Sequence, residues 1–191
     1  NIWDSEEAIS WPNQAKEIYL TAIHPVLNEY SEQNLYTENQ LTDILIAQDT
    51  LKTGNEIEIT FKHMFSSLTI QLNETIQKEL QEISLTIPKV VTTLQPSNGN
   101  YTTEDKDITI HKTHLGNNEY QFILPPMEES VLKLTLHMTN GEIHTHSLEP
   151  HTFLSGYNYK WHIIKEDQRP GIRTAEDLLA FSLLINKQSY T

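Results

Sequence analysis

The sequence predicts an all-β sandwich, and three observations carry that prediction. Apolar and polar residues alternate with a period of two through most of the chain, the pattern of half-buried strands. Turn residues punctuate these runs at short intervals, as in sandwiches and barrels. One apolar series changes phase across Phe65-Ser66-Ser67, from odd positions (Ile57, Ile59, Phe61) to even ones (Leu68, Ile70, Leu72). A continuous strand cannot do this, because its side chains alternate faces strictly. A break between small residues suits a chain crossing from one sheet to another at a sandwich corner.

The elements follow in order. Ile18 to Ile23 reads as a strand closed by Pro25. Residues 28–42 are polar and read as a loop, and Asp43-Ile44-Leu45-Ile46-Ala47 as a short strand. The strands on either side of the phase change come next. Ile83, Leu85 and Ile87 alternate up to Pro88, and Ile108 and Ile110 mark a short strand. Between them, Gln95 to Lys106 carries Pro, Gly, Asn and charges and reads as an exposed loop. Tyr120, Phe122 and Leu124 lead into Pro125-Pro126, which ends the ladder because proline has no N–H to donate. Leu132, Leu134, Leu136 and Met138 alternate up to Asn140-Gly141, the signature of a type I′ hairpin turn. Tyr157, Tyr159, Trp161 and Ile163 form the last strand of a set of seven to nine. The expected core includes Phe61, Leu68, Ile70, Leu134, Leu136 and Trp161.

The tail has a different character. Lys165 to Gly171 is a charged linker ending in a breaker pair, and Thr174-Ala175-Glu176-Asp177 reads as a capping box. Ala175, Leu178, Leu179 and Ser182 then fall on one helical face, with Phe181 and Ile185 beside it. The expectation is a short amphipathic helix of about three turns, marginal by itself. Residues 1–165 are read as the sandwich domain, and 166–191 as a linker and helix opening a further domain.

With 191 residues the chain can bury a real core. Its 13 Lys and Arg against 26 Asp and Glu give a net charge of −13. That field repels phosphate backbones and anionic membranes, which argues against a nucleic-acid partner. The absence of cysteine removes disulfides, thiolate metal sites and cysteine nucleophiles together. No apolar run is long enough to span a membrane and no signal peptide is present, so Asn1 is read as a processed or artificial start.

The order of signals resembles the fimbrillin family of Gram-negative surface pili. Asp43-Ile44-Leu45-Ile46-Ala47 is similar to that family's Asp-Leu-Leu-x-Ala stretch. Phe61-Lys62-His63-Met64-Phe65-Ser66-Ser67-Leu68-Thr69-Ile70 resembles its Phe-x-His followed by Ser-x-Leu and a strand. Phe122-Ile123-Leu124-Pro125-Pro126 resembles a strand ending at Leu-Pro-Gln, with Pro126 in place of Gln. Phe153-Leu154-Ser155-Gly156-Tyr157-Asn158-Tyr159 resembles the closing Phe-x-x-Gly-x-x-Tyr strand. The resemblance runs from Trp11 to Ile164 and implies a transthyretin-like sandwich. It also implies lipoprotein export to the outer membrane and assembly into pili through strands donated between subunits. It covers a first sandwich domain only; residues 172–181 resemble the lead-in to repeat-type adhesin regions.

The resemblance makes the chain a structural or adhesive surface domain, with other pilus subunits, host molecules or glycans as partners. The competing reading is a carbohydrate-binding sandwich of a larger polysaccharide-handling protein. An enzyme, a small metal-assisted hydrolase, ranks last. His144 and His146 stand about 7 Å apart on one strand face. They would need a third ligand such as His137 or His151 to hold zinc. His111 and His114, three residues apart, are a similar but weaker pair. His63 reads as a corner residue whose ring satisfies backbone groups, since no partner nucleophile is identifiable. Glu6-Glu7, Glu128-Glu129 and Glu166-Asp167 lack calcium-loop spacing and read as solvated loops. Neither a Gly-x-Ser-x-Gly, a phosphate loop nor a dinucleotide fingerprint is present. The expectation is therefore no catalytic, cofactor or metal site. A sugar platform would need Trp3, Trp11 and Trp161 exposed together; Trp161 reads as core, and Trp11-Pro12 resembles the family's entry into the first strand. Asp49-Thr50-Leu51 matches a short O-glycosylation signal of bacteria carrying this family, and Asn73 and Asn100 stand in sequons that count only in a eukaryote. The isolated chain is expected to be monomeric.

Overall fold

The computed structural model describes residues 17–52, 59–113, 118–165 and 181–189. Two four-stranded sheets face each other. The first runs β12-β11-β7-β8, from Ile143–Ser147, Lys133–Met138, Leu80–Gln95 and Asn100–Thr113. The second runs β15-β14-β6-β9, from Phe181–Ser189, Tyr157–Lys165, Ser66–Leu72 and Glu119–Leu124. Only β14 and β6 pair in parallel within these sheets. The alternation dictates the interior: Leu68, Ile70 and Leu72 from β6 meet Ile83, Leu85 and Ile87 from β7 in one core. Leu134, Leu136, Phe122, Tyr159 and Trp161 join them, all fully buried.

A smaller layer lies beside this sandwich. Its sheet runs β1-β4-β5, from Glu17–His24, Leu45–Lys52 and Lys62–His63. The segment between β1 and β4, expected as a loop, holds helix α1 (Glu32–Leu35) and the hairpin of β2 (Tyr36–Thr37) and β3 (Gln40–Leu41). Glu38 and Asn39 both take positive φ, 51° and 62°, in the turn between β2 and β3. Leu35, Leu41, Ile44, Met64, Phe65, Val91 and Leu94 form the second core.

The β7–β8 ribbon serves both cores. Its register shifts at Pro88, between Ile87 and Lys89, and again between Val91 and Thr93. Proline is tolerated there because a bulge leaves its missing N–H unmourned by the ladder. The first shift places its extra residue on β8 and the second on β7, so Ile83 to Ile87 and Ile108 pack in the main core while Val91, Leu94 and Tyr101 pack in the second. The Val91 N–H, next to the second irregularity, donates to the Tyr36 hydroxyl at 3.0 Å. The sequence predicts an end to β7 at Pro88 and a loop over residues 95–106. The ladder instead continues to Gln95, turns within residues 96–99, and returns as β8 from Asn100.

The expected corner is present. The chain leaves the β4–β5 pairing at His63 and enters the second large sheet at Ser66, with Met64 and Phe65 both buried between. The strand expected over Ile57 to Lys62 is corrected. Residues 57 and 58 lie outside the described residues, Ile59 to Phe61 are not in a ladder, and pairing is confined to Lys62 and His63. Phe61, expected in the core, is half-buried. The other five expected core residues are fully buried.

Four more differences matter. Helix α2 (Glu74–Glu79) was not expected; Asn73 caps it, accepting the Ile76 N–H at 2.9 Å. The short pair β10 (Met127–Ser130) and β13 (His151–Phe153) is too brief for a period to show. At Asn140-Gly141 only Gly141 has positive φ, at 87°, and the Gly141 N–H donates to the Met138 carbonyl at 3.0 Å. That is a three-residue hairpin with glycine at its left-handed position, not a type I′ turn. Finally, the expected C-terminal helix is not formed over 181–189. This segment is β15, antiparallel to β14 along its whole length. A three-turn helix is marginal, whereas a strand satisfies the open edge of β14. Register sets Leu183 opposite Ile163 and Ile185 opposite Trp161. Residues 174–180, which carry the capping box, lie outside the described residues. Among the described residues no helix is long and apolar enough to cross a membrane.

Candidate functional site

The sheet-switching corner is locked from two sides. The Ser155 hydroxyl lies 3.1 Å from the His63 carbonyl and 2.6 Å from that of Met64, donating to this pair. The Gly156 N–H donates to the Phe65 carbonyl at 2.9 Å. Gly156 has φ of 73°, and a Cβ there would stand 3.5 Å from the His63 carbonyl oxygen. The turn before β14 is thereby tied to the corner before β6. His63 itself is half-exposed, with Nδ1 2.9 Å from an Asp43 carboxylate oxygen. Its ring thus meets a carboxylate rather than the backbone groups expected of it.

Two depressions flank this corner and share His63, Gly156 and Tyr157. The smaller, about 160 Å³, lies over Asp43, Ser67 and Gln121. The larger is a groove of about 860 Å³ between β4, the corner and the tip of the β7–β8 ribbon. Phe61, Tyr101 and Tyr157 line it, all half-buried. Tyr101 is held by an edge contact to Phe65, with ring centroids 5.8 Å apart, and burial pushes its phenol pKa up. Tyr157 packs against the main core. The rings therefore sit on two different cores and face a common space. Sequence reasoning missed this groove, because its walls come from four separated segments.

Among the described residues the histidines do not assemble as a ligand set. His144 and His146 stand opposite Leu136 and Leu134 in register, on the inner face of the edge strand β12. His137 occupies the alternate position on β11, on the outer face, 3.8 Å from Glu82. One sheet separates it from the pair it was expected to complete. His144 lies 3.5 Å from Glu142. Burial, then the neighbouring His144, holds the His146 pKa below its usual value. His151 packs among the rings of Phe153, Tyr159 and Trp161. His111 Nδ1 lies 2.8 Å from Glu82, and His114 is outside the described residues. Among the described residues no three histidine or acidic side chains are grouped to hold a metal ion.

Of the acidic pairs, Glu128 and Glu129 are exposed on β10, and the other two lie outside the described residues. Trp161 is fully buried; Trp3 and Trp11 are outside the described residues. Thr50 is exposed on β4, its N–H donating to the Asp49 carboxylate at 2.7 Å. Asn73 is engaged as a helix cap and Asn100 opens β8.

By architecture, then, this is a two-sheet β-sandwich protein with a second β layer and a groove where the layers meet. The family described as fimbrillin-like matches residues 1–177, and the chain belongs to that family. Solved structures share the fold. A candidate cell-adhesion protein from Bacteroides uniformis superposes with a TM-score of 0.66 at 18% identity, over 96% of this chain and 77% of its own. A second, from Bacteroides ovatus, gives 0.59 at 16% identity, over 92% of this chain and 68% of its own. No curated protein matches the sequence.

Proposed function

We propose that the chain is a non-catalytic structural or adhesive domain of a pilus component or of a fimbrillin-like surface lipoprotein, exported and anchored at the outer membrane. The observation that carries this reading is the fimbrillin-like match, which spans every strand of the sandwich except β15. The names of the two similar structures, both candidate cell-adhesion proteins, agree with it. Residues 1–165 are the fimbrillin-like domain in this reading, extended by the strand 181–189. Partner subunits join by strand addition. The edge strands β8, β9 and β12 offer backbone groups for such pairing. The charge of −13 opposes self-association, so the isolated chain is a monomer.

The competing reading is a carbohydrate-binding module of a larger polysaccharide-handling protein, to which Trp161, fully buried, offers no exposed ring. The adhesive reading is tested in cells. Surface proteolysis should remove the chain from intact cells, and its deletion should lower attachment or piliation. A chain protected until lysis, with attachment unchanged by deletion, would sink it.

A further inference from the structure

We propose that the 860 Å³ groove beside the corner is a binding site for a neutral oligosaccharide. The inference deepens the adhesive reading and rests on it, since it names the class of molecule gripped.

The groove has the size of a small-molecule site, which runs roughly from 300 to 1,000 Å³. Its chemistry has two halves. Phe61, Tyr101 and Tyr157 present partly exposed rings, and a sugar's C–H face stacks on such rings. Tyr101 and Tyr157 are each anchored on a packed core, so the platform is fixed before a ligand arrives. Between the rings stand Gln48, Thr60 and Lys62. Among the described residues none of these three spends its polar atoms on a protein side-chain bond. An amide and a hydroxyl both donate and accept, as hydroxyl groups on a sugar require. Other polar groups nearby are occupied: Asn98 bonds Gln95 and the Asn100 N–H, and Ser155 bonds the corner carbonyls.

Charge selects a neutral ligand. Among the described residues that line this groove none is acidic. Its basic side chains are Lys62 and His63, the latter 2.9 Å from Asp43, and the field of a chain of net charge −13 repels anionic polymers, which leaves a neutral chain as the ligand that this lining suits.

The test is affinity electrophoresis of the full chain in gels containing a neutral glucan, mannan, galactan or xylan, with polygalacturonate as the charged control. At least one neutral gel should retard the protein and polygalacturonate should not. Tyr157→Ala should abolish the retardation, and Gln48→Ala should weaken binding at least about fivefold. Gln48 is exposed, so its variant keeps the fold, which an unchanged melting curve checks. Tyr19→Ala, at an exposed tyrosine on β1 outside the groove, should bind as the parent does. No retardation in any neutral gel, retardation by polygalacturonate alone, or binding unchanged in both groove variants overturns the inference. If deletion abolishes attachment while the purified chain ignores every neutral glycan, the adhesive reading stands and this one alone fails.

Discussion

Replacing Ile70 by alanine removes the side chain at the centre of the second large sheet. Strand β6 lies between β14 and β9, and Ile70 stands in register with Trp161 on one side and Tyr120 on the other. It is fully buried, as are Leu68 and Leu72 two residues away on the same face. The change deletes three carbons, and at about 0.8 kcal/mol per buried methylene the transfer loss is roughly 2.4 kcal/mol. Both neighbouring rings are held in ladders, so the site collapses poorly. At about 24 cal/mol per Å³ of residual void, the cavity adds roughly 1–2 kcal/mol. The expected cost is therefore about 4 kcal/mol, towards the top of the usual 2–5 kcal/mol range. Urea unfolding followed by tryptophan fluorescence measures it. With a slope of 1–3 kcal/mol per molar the midpoint should fall by roughly 2 M, at unchanged slope. Ile143→Ala is the control, because Ile143 is 62% exposed on the edge strand β12, and it should change stability by no more than about 0.5 kcal/mol. A loss below about 1 kcal/mol for Ile70→Ala, or equal losses for both, would refute the assigned faces.

Three further outcomes are expected. His146 has its folded pKa depressed below 6.5, so the unfolded chain takes up the proton first and stability is full above that pH and declines as pH falls through the folded value. Melting temperature should drop between pH 7.5 and 5, and less so in His146→Gln; an equal drop in both would remove His146 from the cause. Gly156→Ala forces a Cβ into a left-handed backbone against the His63 carbonyl, and should cost about 1–2 kcal/mol by chemical melt. Tyr36→Phe removes the acceptor for the Val91 N–H within the second core and should cost about 1–3 kcal/mol, with faster amide exchange at Val91. Burial, the largest cause, lifts the Tyr36 pKa to about 12, so no ionisation complicates that measurement below pH 9.

The main sandwich was legible because its strands are long enough to show a period and bury only one face. Ile83-Ser84-Leu85-Thr86-Ile87 announces both its strand and its inward side, and the Phe65-Ser66-Ser67 phase change announces the corner. The second layer was not legible, for reasons that are also physical. Pairings of two residues, such as β2 with β3, carry no period. Pro88 normally ends a ladder, and only a bulge, which no residue type marks, let β7 run on to Gln95. Phe181-Ser182-Leu183-Leu184-Ile185 fits a helical face and a strand face alike. The choice fell to the strand because β14 has an edge to satisfy, a fact that lies far away in sequence.

The same reasoning explains why the candidate site escaped a search for motifs. A motif signals chemistry when neighbouring residues act together. Here Gln48, Phe61, Tyr101 and Tyr157 come from β4, the corner approach, β8 and β14, and meet only because the ribbon serves two cores. The extra β8 residue opposite Pro88 shifts the phase of that strand, and beyond it Tyr101 packs on Phe65 in the second core. The phase flip at Phe65 brings the chain back into the first, beside Tyr157. The groove opens between those two reversals. Its ring geometry should therefore depend on the bulge and the corner together, and a variant that straightens either should lose the site before it loses the sandwich.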